Sequence, residues 1–364
     1  MIDFDKEIEG IIAASDNMKE IEIIRDRITV GKEIVIFGAG NCGHAVYDFL
    51  ADKNIKVSAF CDNMLTGVDH ETSLPIINVT RMNMDRDKYF VLISVADEPV
   101  FKAIDNQLKS MGFEDNQCLC MMNYIEIVPI SFLLEHRQYY QMVFDMLEDE
   151  FSKKTYVERI KRVYTLSDIS DVMQPEENQY FDEVKLTDHE VFVDCGAYIG
   201  DTAMEFIKRV DGKYRQIYMF EAEKSKSGQI KRNLKEAKYE LYTFGVWSEN
   251  GKLNFDADGS SASKISMVVG EGDDTKIDVV ALDSVHFNEL PTFVKMDIEG
   301  AEKEALIGAK HIISDYCPKL AICIYHKRED LYELPLLIKE LNPKYKLYIR
   351  HYSDHFAETV CYAL

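Results

Sequence analysis

The eight cysteines, at 42, 61, 118, 120, 195, 317, 323 and 361, include no Cys-x-x-Cys pair, and most lie in apolar runs that read as strands. That excludes a disulfide framework and points to buried, reduced thiols in a cytoplasmic protein. Cys118 and Cys120 are the one close pair, and no His neighbours them to complete a zinc site. No apolar run approaches the length needed to span a bilayer. The opening MIDFDKEIEGIIAAS is acidic and lacks the basic region of a signal peptide. Basic charge is short as well. Lys and Arg total 42 against 64 Asp and Glu, a net charge of -22, and no Lys/Arg stripe offsets it. Such a chain repels phosphate backbones, so nucleic acid is not an expected partner. Between 130 and 185 the only Gly or Pro is Pro175, which argues against a flexible linker there. What is present is 364 residues, 46% hydrophobic and 29% charged. That is a folded chain with enough length for two cores.

The chain reads as α/β, with two Rossmann-like domains. Residues 1–128 form the first, 129–185 a helical connector, and 186–364 the second. Residues 1–30 read as helical, with Ile8, Ile11, Ile12, Ile21 and Ile24 at helix spacing. Glu33–Phe37 is a buried strand, and Gly38, Gly40 and Gly43 follow as G-x-G-x-x-G before a helix over 44–51. A second strand over 56–61 ends in Asp62, about twenty residues on, where a ribose-binding carboxylate belongs. Strands follow at 89–96 and 118–122, with a helix between them to about 111. Three readings of this domain stay open: a nucleotide or nucleotide-sugar site, a structural domain whose glycines serve the turn, or an NAD-dependent oxidoreductase domain.

In the second domain strands are expected at 191–195, 216–220, 241–246, 293–297, 319–324, 345–350 and 359–363. Helices fall at 200–209, 225–237, 300–313 and 329–341. The last two strands are joined without a helix and must be antiparallel. The result is a mostly parallel seven-stranded sheet closed by an antiparallel C-terminal hairpin. Residues 251–283 suit an extra hairpin, and Gly259–Ser263 suits a cover over an acceptor.

Two strand ends carry the chemistry. In VFVDCGAYIGD, Asp194, Gly196 and Gly200 fit D-x-G-x-x-x-G. Gly196 lets the backbone approach a ligand, and the helix opening at 200–201 offers free amides to an anion. The carboxylate of S-adenosylmethionine and the diphosphate of NAD both suit such a loop. Glu221 ends the next strand and can accept both ribose hydroxyls. Asp278 is placed to meet an adenine amino group if its segment returns to the sheet. In FVKMDIEGAE, Lys295, Asp297 and Glu299 share one side of an extended strand, while Glu299 and Glu302 suit a helix N-terminus. His326 ends the following strand beside Asp297. No metal site is assigned, although Asp297, Glu299 and His326 together could hold Mg2+.

Residues 180–364 resemble the FkbM-type methyltransferases. The resemblance runs through YFD at 180–182, FVDCGAYIGDT at 192–202, FEAEK at 220–224, VKMDIEGAEKEAL at 294–306, CIYHKREDLYELP at 323–335 and YKLYIRHY at 345–352. It implies S-adenosylmethionine-dependent O-methylation, often of sugar or polyketide hydroxyls. By position, it implies that Asp194, Gly196 and Glu221 hold the cofactor and that Asp297, Glu299 and His326 line the acceptor site. Many members carry a Pro–Asp-like pair where this chain has AEK at 222–224. Phe37–Asp62, with AFCDN and the later LPII, resembles the N-terminal sugar-nucleotide-binding domain of PglD-like sugar acetyltransferases. The β-helix repeats of those enzymes are absent, so their activity does not carry over. The expected substrate is a saccharide or sugar nucleotide. A non-catalytic sugar-nucleotide-binding protein is the other alternative, and the oligomeric state, a homo-oligomer included, stays open.

Overall fold

The computed structural model describes residues 2–15, 31–52, 54–95, 98–113, 118–120, 130–165, 167–256, 264–266, 276–353 and 357–364. The cover expected at Gly259–Ser263, the helical reading of 16–30 and the end of the strand expected at 118–122 lie outside these residues. The chain divides into two compact units. One comprises residues 8–130 and 161–167; the other comprises 1–7, 131–160 and 168–364.

After helix α1 (Phe4–Ser15) come strand β1 (Glu33–Phe37), helix α2 (Asn41–Asp52) and strand β2 (Val57–Cys61). The short strands β3 (Gly67–Val68) and β4 (Pro75–Ile77) follow, then helix α3 (Val79–Met84), strand β5 (Tyr89–Ile93), helix α4 (Glu98–Ser110) and strand β6 (Cys118–Cys120). The sheet order is β3-β4-β2-β1-β5-β6. Alternate residues of β1 and β5 serve opposite faces. Ile34, Ile36, Phe90 and Leu92 pack on one side, and Val35, Phe37, Val91 and Ile93 on the other. Both faces are covered, which is why these strands are apolar throughout. The edge formed by β3 and β4 was not read from the sequence. Two- and three-residue strands carry too little pattern to register.

Helices α5 (Ile130–Met146) and α6 (Glu150–Thr165) match the helical reading of the connector. Then come β7 (Val191–Cys195), α7 (Asp201–Arg209), β8 (Gln216–Phe220), α8 (Ser227–Asn233), β9 (Tyr239–Tyr242) and β10 (Gly245–Val246). Strands β11 (Gly251–Asp256), β12 (Lys264–Ser266) and β13 (Lys276–Val280) form a separate four-stranded sheet with β10. The chain continues through β14 (Phe293–Met296), α9 (Glu302–Gly308), β15 (Lys319–Cys323), α10 (Asp330–Leu341), β16 (Leu347–His351) and β17 (Thr359–Ala363).

The main sheet has seven strands in the order β16-β17-β15-β14-β7-β8-β9. Strands β7, β8, β9, β14 and β15 pair in parallel, and β17 pairs antiparallel with both β15 and β16. That is the expected sheet with its expected hairpin. Two details differ. The single strand expected at 241–246 is broken, and its second piece joins the small sheet. The helix expected at 300–313 stops at Gly308 and resumes as a π-type turn over Ile312–Tyr316. Successive strands run from β7 toward β8 and β9, then restart at β14 on the other side of β7. The switch point therefore lies between β7 and β14, and ligands of such sheets bind beyond the strand carboxyl ends there.

Candidate active site

The loops after β7 and β14 leave the sheet side by side. Gly196 and Ala197 donate to the Phe220 carbonyl at 3.0 and 3.1 Å, and Asp297 N donates to Cys195 O at 3.1 Å. A Cβ on Gly196 would lie 1.8 Å from the Asp297 carbonyl oxygen, and its φ is +82°. The neighbouring loop alone therefore requires a glycine at this position.

Beneath this crossing Asp194 and Lys295 are register partners on adjacent strands. Their charged atoms are 3.1 Å apart, with 0% and 2% of the side chains exposed. Lys295 Nζ also donates to Gly196 O at 2.7 Å. Burial pushes the Asp194 carboxyl up, to about 6, against the pull of Lys295. Burial acts to lower Lys295, but Asp194 and Asp297 outweigh it and hold the ammonium above its ordinary value. Burial and the ion pair thus oppose each other under the loop.

Glu221 stands at the end of β8. One carboxylate oxygen accepts from Tyr198 N at 2.7 Å and the other from Glu223 N at 2.8 Å. Burial raises its pKa, and the two amides oppose the shift. Each oxygen keeps a further lone pair for a hydroxyl. Gly200, with φ +83°, precedes α7, whose first turn begins at Asp201.

The second cluster gathers around His326. Its Nε2 is 3.3 Å from Asp297 Oδ1 and 3.6 Å from Glu299 Oε2, and its Nδ1 is 3.1 Å from Glu302 Oε1. Tyr180 donates its hydroxyl to Asp297 Oδ2 at 2.7 Å. The Tyr325 hydroxyl lies 3.2 Å from Asp297 Oδ1 and 3.4 Å from Glu358 Oε1. Burial acts to raise Asp297, but His326, Lys295 and Tyr180 hold it well below the usual carboxylate range. Burial pushes Glu299 up to about 7, with Asp297, Glu302 and Glu358 adding to the shift and His326 opposing it. Burial acts to lower His326, but Glu302 and Asp297 hold it well above the ordinary imidazole value.

Backbone strain marks the same place. Tyr180, Tyr198, Glu299 and Glu358 all have positive φ, from +45° to +69°. Non-glycine residues in that region cost about 1–3 kcal/mol each and concentrate at functional sites. The strand ends at Met296, so the period-two reading of Lys295, Asp297 and Glu299 fails beyond it. Lys295 enters the core, while Asp297 and Glu299 face the imidazole.

Residues 194–346 match the family described as the methyltransferase FkbM domain. Residues 194–346 are a methyltransferase FkbM domain. The crystal structure of methyltransferase FkbM from Methylobacillus flagellatus KT is similar over 100% of both chains, with a TM-score of 0.70 and 22% sequence identity, which shows a shared fold. A precorrin-6y C5,15-methyltransferase from Geobacter metallireducens GS-15 is remote, with a TM-score of 0.33 and 14% identity over 49% of this chain and 81% of its own. No curated protein matches the chain.

S-adenosylmethionine is therefore the cofactor of this methyltransferase. The residues present fit it: an anchored carboxylate at Glu221 and a glycine-bearing turn entering α7. Asp278 stands on the small sheet, 3.3 Å from Lys252, its register partner. The cluster also contains residues that spacing did not single out. Tyr180 and Tyr325 grip Asp297, and the only sequence signals were their places in YFD and CIYHK. Glu302, read as a helix-terminus charge, is fully buried, and its Oε1 accepts from Ile298 N at 2.8 Å. Asp297, Glu302 and His326 offer ligand atoms all within 4.8 Å of one another, so Glu302 takes the place expected for Glu299 in that group.

In the other unit Asp62 Oδ2 accepts from Ala39 N at 3.0 Å, and its Oδ1 accepts from Met64 N and Leu65 N at 2.8 and 3.1 Å. A Cβ on Gly43 would lie 2.0 Å from Gly38 O, whereas one on Gly40 would meet no atom within 4 Å. Gly40 is the open side of that loop. Among the described residues no helix is long and apolar enough to cross a membrane.

Proposed function

We propose that this methyltransferase acts in the cytoplasm on a hydroxyl of a saccharide or sugar nucleotide. The observation that carries the reading is the cluster of Asp297, Glu299 and His326 beyond β14 and β15, at the same switch point as the loop of Gly196. Bound S-adenosylmethionine supplies an electrophilic methyl group on sulfur. Glu221 and the amides of the 196–201 turn hold and orient it, and Asp194 and Lys295 position that turn from below. Holding two reactants in near-attack geometry contributes up to about 7–11 kcal/mol.

A sugar hydroxyl is a weak nucleophile at neutral pH and needs a proton acceptor. Glu299, raised to about 7, is matched to that task; such a base contributes typically about 10²–10⁴-fold. Asp297, kept ionised, and His326 orient the hydroxyl. Carboxylates and tyrosine hydroxyls at one mouth suit a polyol, which offers several donors at once. The unit carrying Gly38, Gly40, Gly43 and Asp62 binds the nucleotide part of a nucleotide sugar, an assignment supported by its strand–glycine loop–helix order. Among the described residues Cys61, Cys195, Cys317, Cys323 and Cys361 form no disulfide, which fits a reducing compartment.

Calorimetry tests the cofactor site. Wild type takes up S-adenosylmethionine, and Glu221→Ala weakens binding about tenfold or more, the loss of hydrogen bonds to a charged group. No uptake, or equal affinity in the variant, defeats this site. Labelled-methyl transfer to a panel of nucleotide sugars tests the acceptor; transfer to none of them, with transfer to a non-sugar hydroxyl, defeats the saccharide reading.

A further inference from the structure

Glu302 presents an unusual problem. It is fully buried, and its Oε2 has no hydrogen-bond partner. The adjacent His326 side chain is 8% exposed, and neither ring nitrogen makes a hydrogen bond of acceptable geometry. Buried polar atoms in native proteins are nearly all satisfied, and each exception calls for a proton, a water or an ion. Here the orphan atoms converge. Three carboxylates, of Asp297, Glu299 and Glu302, approach one imidazole at 3.1–3.6 Å. The other buried cation nearby, Lys295, is committed to Asp194 and the Gly196 carbonyl. Three carboxylates therefore share a single imidazole, which supplies at most one positive charge.

We propose that Asp297, Glu302 and His326 bind one divalent transition-metal ion. This inference rests on the methyltransferase reading of the site and adds a Lewis acid to it. The ligand atoms lie within 4.8 Å of one another, and drawing them in around one ion would meet bonds of about 2.0–2.2 Å. One imidazole with two carboxylates suits Mn2+, Fe2+, Co2+ or Zn2+ better than Mg2+ or Ca2+, which prefer all-oxygen sets. Two tyrosine hydroxyls, of Tyr180 and Tyr325, fix the Asp297 oxygens from outside, as outer partners fix metal ligands elsewhere. A cation there polarises an acceptor hydroxyl and favours its deprotonation. The methyl-transfer balance is unchanged: the hydroxyl proton leaves to Glu299, the oxygen–methyl bond forms and the sulfur–methyl bond breaks.

Mn2+ is the probe, titrated into the full chain freed of metal and followed by electron paramagnetic resonance of the free ion. Wild type is expected to bind one ion per chain, more tightly than Mg2+ in competition, and to gain thermal stability from it. Glu302→Gln and His326→Asn should each weaken binding by about tenfold or more, with S-adenosylmethionine affinity by calorimetry within about twofold of wild type. Wild type binding no stoichiometric Mn2+, or His326→Asn binding it equally, overturns the metal site. If either variant fails to fold, the wild-type titration and its Mn2+-dependent Tm decide alone. Loss of methyl transfer in His326→Asn without metal binding in wild type assigns the imidazole a proton-transfer role instead. Absent cofactor binding with intact Mn2+ binding sinks the methyltransferase reading and leaves the metal site standing.

Discussion

The two glycine loops of this chain are built on one plan and furnished differently. In each, the first glycine after a central strand donates to the last carbonyl of the next strand: Gly38 to Cys61 O at 2.8 Å, and Gly196 to Phe220 O at 3.0 Å. In each, a Cβ on that glycine would strike a carbonyl beyond the strand on the other side, Ser94 O at 2.7 Å or Asp297 O at 1.8 Å. In each, the carboxylate ending the second strand accepts an amide from the loop, Asp62 from Ala39 and Glu221 from Tyr198. The register pair two residues below is where they part. It is Ile36 with Leu92 in one unit and Asp194 with Lys295 in the other. The same backbone frames a plain crevice over an apolar pair in one unit and a charged mouth over an ion pair in the other. The scaffold is common to both crevices; under the proposed function, the buried pair and the residues beyond it distinguish the one where chemistry happens.

Breaking the ion pair is the severest test of that contrast. Lys295→Met leaves Asp194 buried without a counter-charge and should cost about 3–5 kcal/mol in chemical denaturation. Copying the apolar pair, Asp194→Ile with Lys295→Leu, should recover most of that loss, because apolar replacements of buried pairs are often neutral. The double variant should still bind S-adenosylmethionine about tenfold or more weaker, since Gly196 O has lost its charged donor. Wild-type affinity in the double variant would reduce the pair to a structural feature and leave the two loops equivalent.

The glycines give the next largest effect. Gly196→Ala combines a strained φ with a collision against backbone and should cost about 3 kcal/mol. Gly40→Ala meets open space and should change stability by no more than about 0.5 kcal/mol. If Gly40→Ala nevertheless abolishes nucleotide-sugar binding, followed by calorimetry, the first loop is a ligand site and not only a turn.

Much of this was legible in the sequence, for identifiable reasons. β1, β5, β7 and β14 are central and buried on both faces, so their apolar runs and terminal turns stand out. Glu221 and Asp297 directly follow β8 and β14, and His326 lies three residues beyond β15, so position alone singles them out as candidates. The failures lie where side chains act across elements. Tyr180 reaches Asp297 over 117 residues of sequence, and no spacing rule reports that. Glu302 was misjudged because a glutamate in a first helical turn ordinarily faces solvent, whereas α9 packs its first turn inward. Lys295 falls on one side with Asp297 and Glu299 by alternation, which predicts a face and not a depth.

Titration sharpens the comparison most finely, because one carboxylate in each unit is shifted in opposite directions. Asp69, in the unit of Gly38, accepts from Thr72 N and Oγ1 and lies 2.9 Å from His44 Nε2. Burial acts to raise it, but these bonds outweigh burial and leave it at about 2. Its stabilisation is present above the ordinary carboxylate pKa and is lost as pH falls toward 2. Asp330, in the other unit, is raised to about 7 by burial and then by Glu302, while the Lys327 amide opposes the shift. Its stabilisation is complete below about 4 and is lost as pH rises through 7. Between pH 5 and 8 the Tm of Asp330→Asn should therefore fall less than that of wild type, because Asn keeps the acceptor for Lys327 N and carries no proton to lose. Asp69→Asn should lie below wild type at pH 6 and approach it at pH 3. Parallel pH profiles for Asp330→Asn and wild type would show that the crowd of carboxylates around His326 is already neutralised from outside, by a bound cation or by solvent.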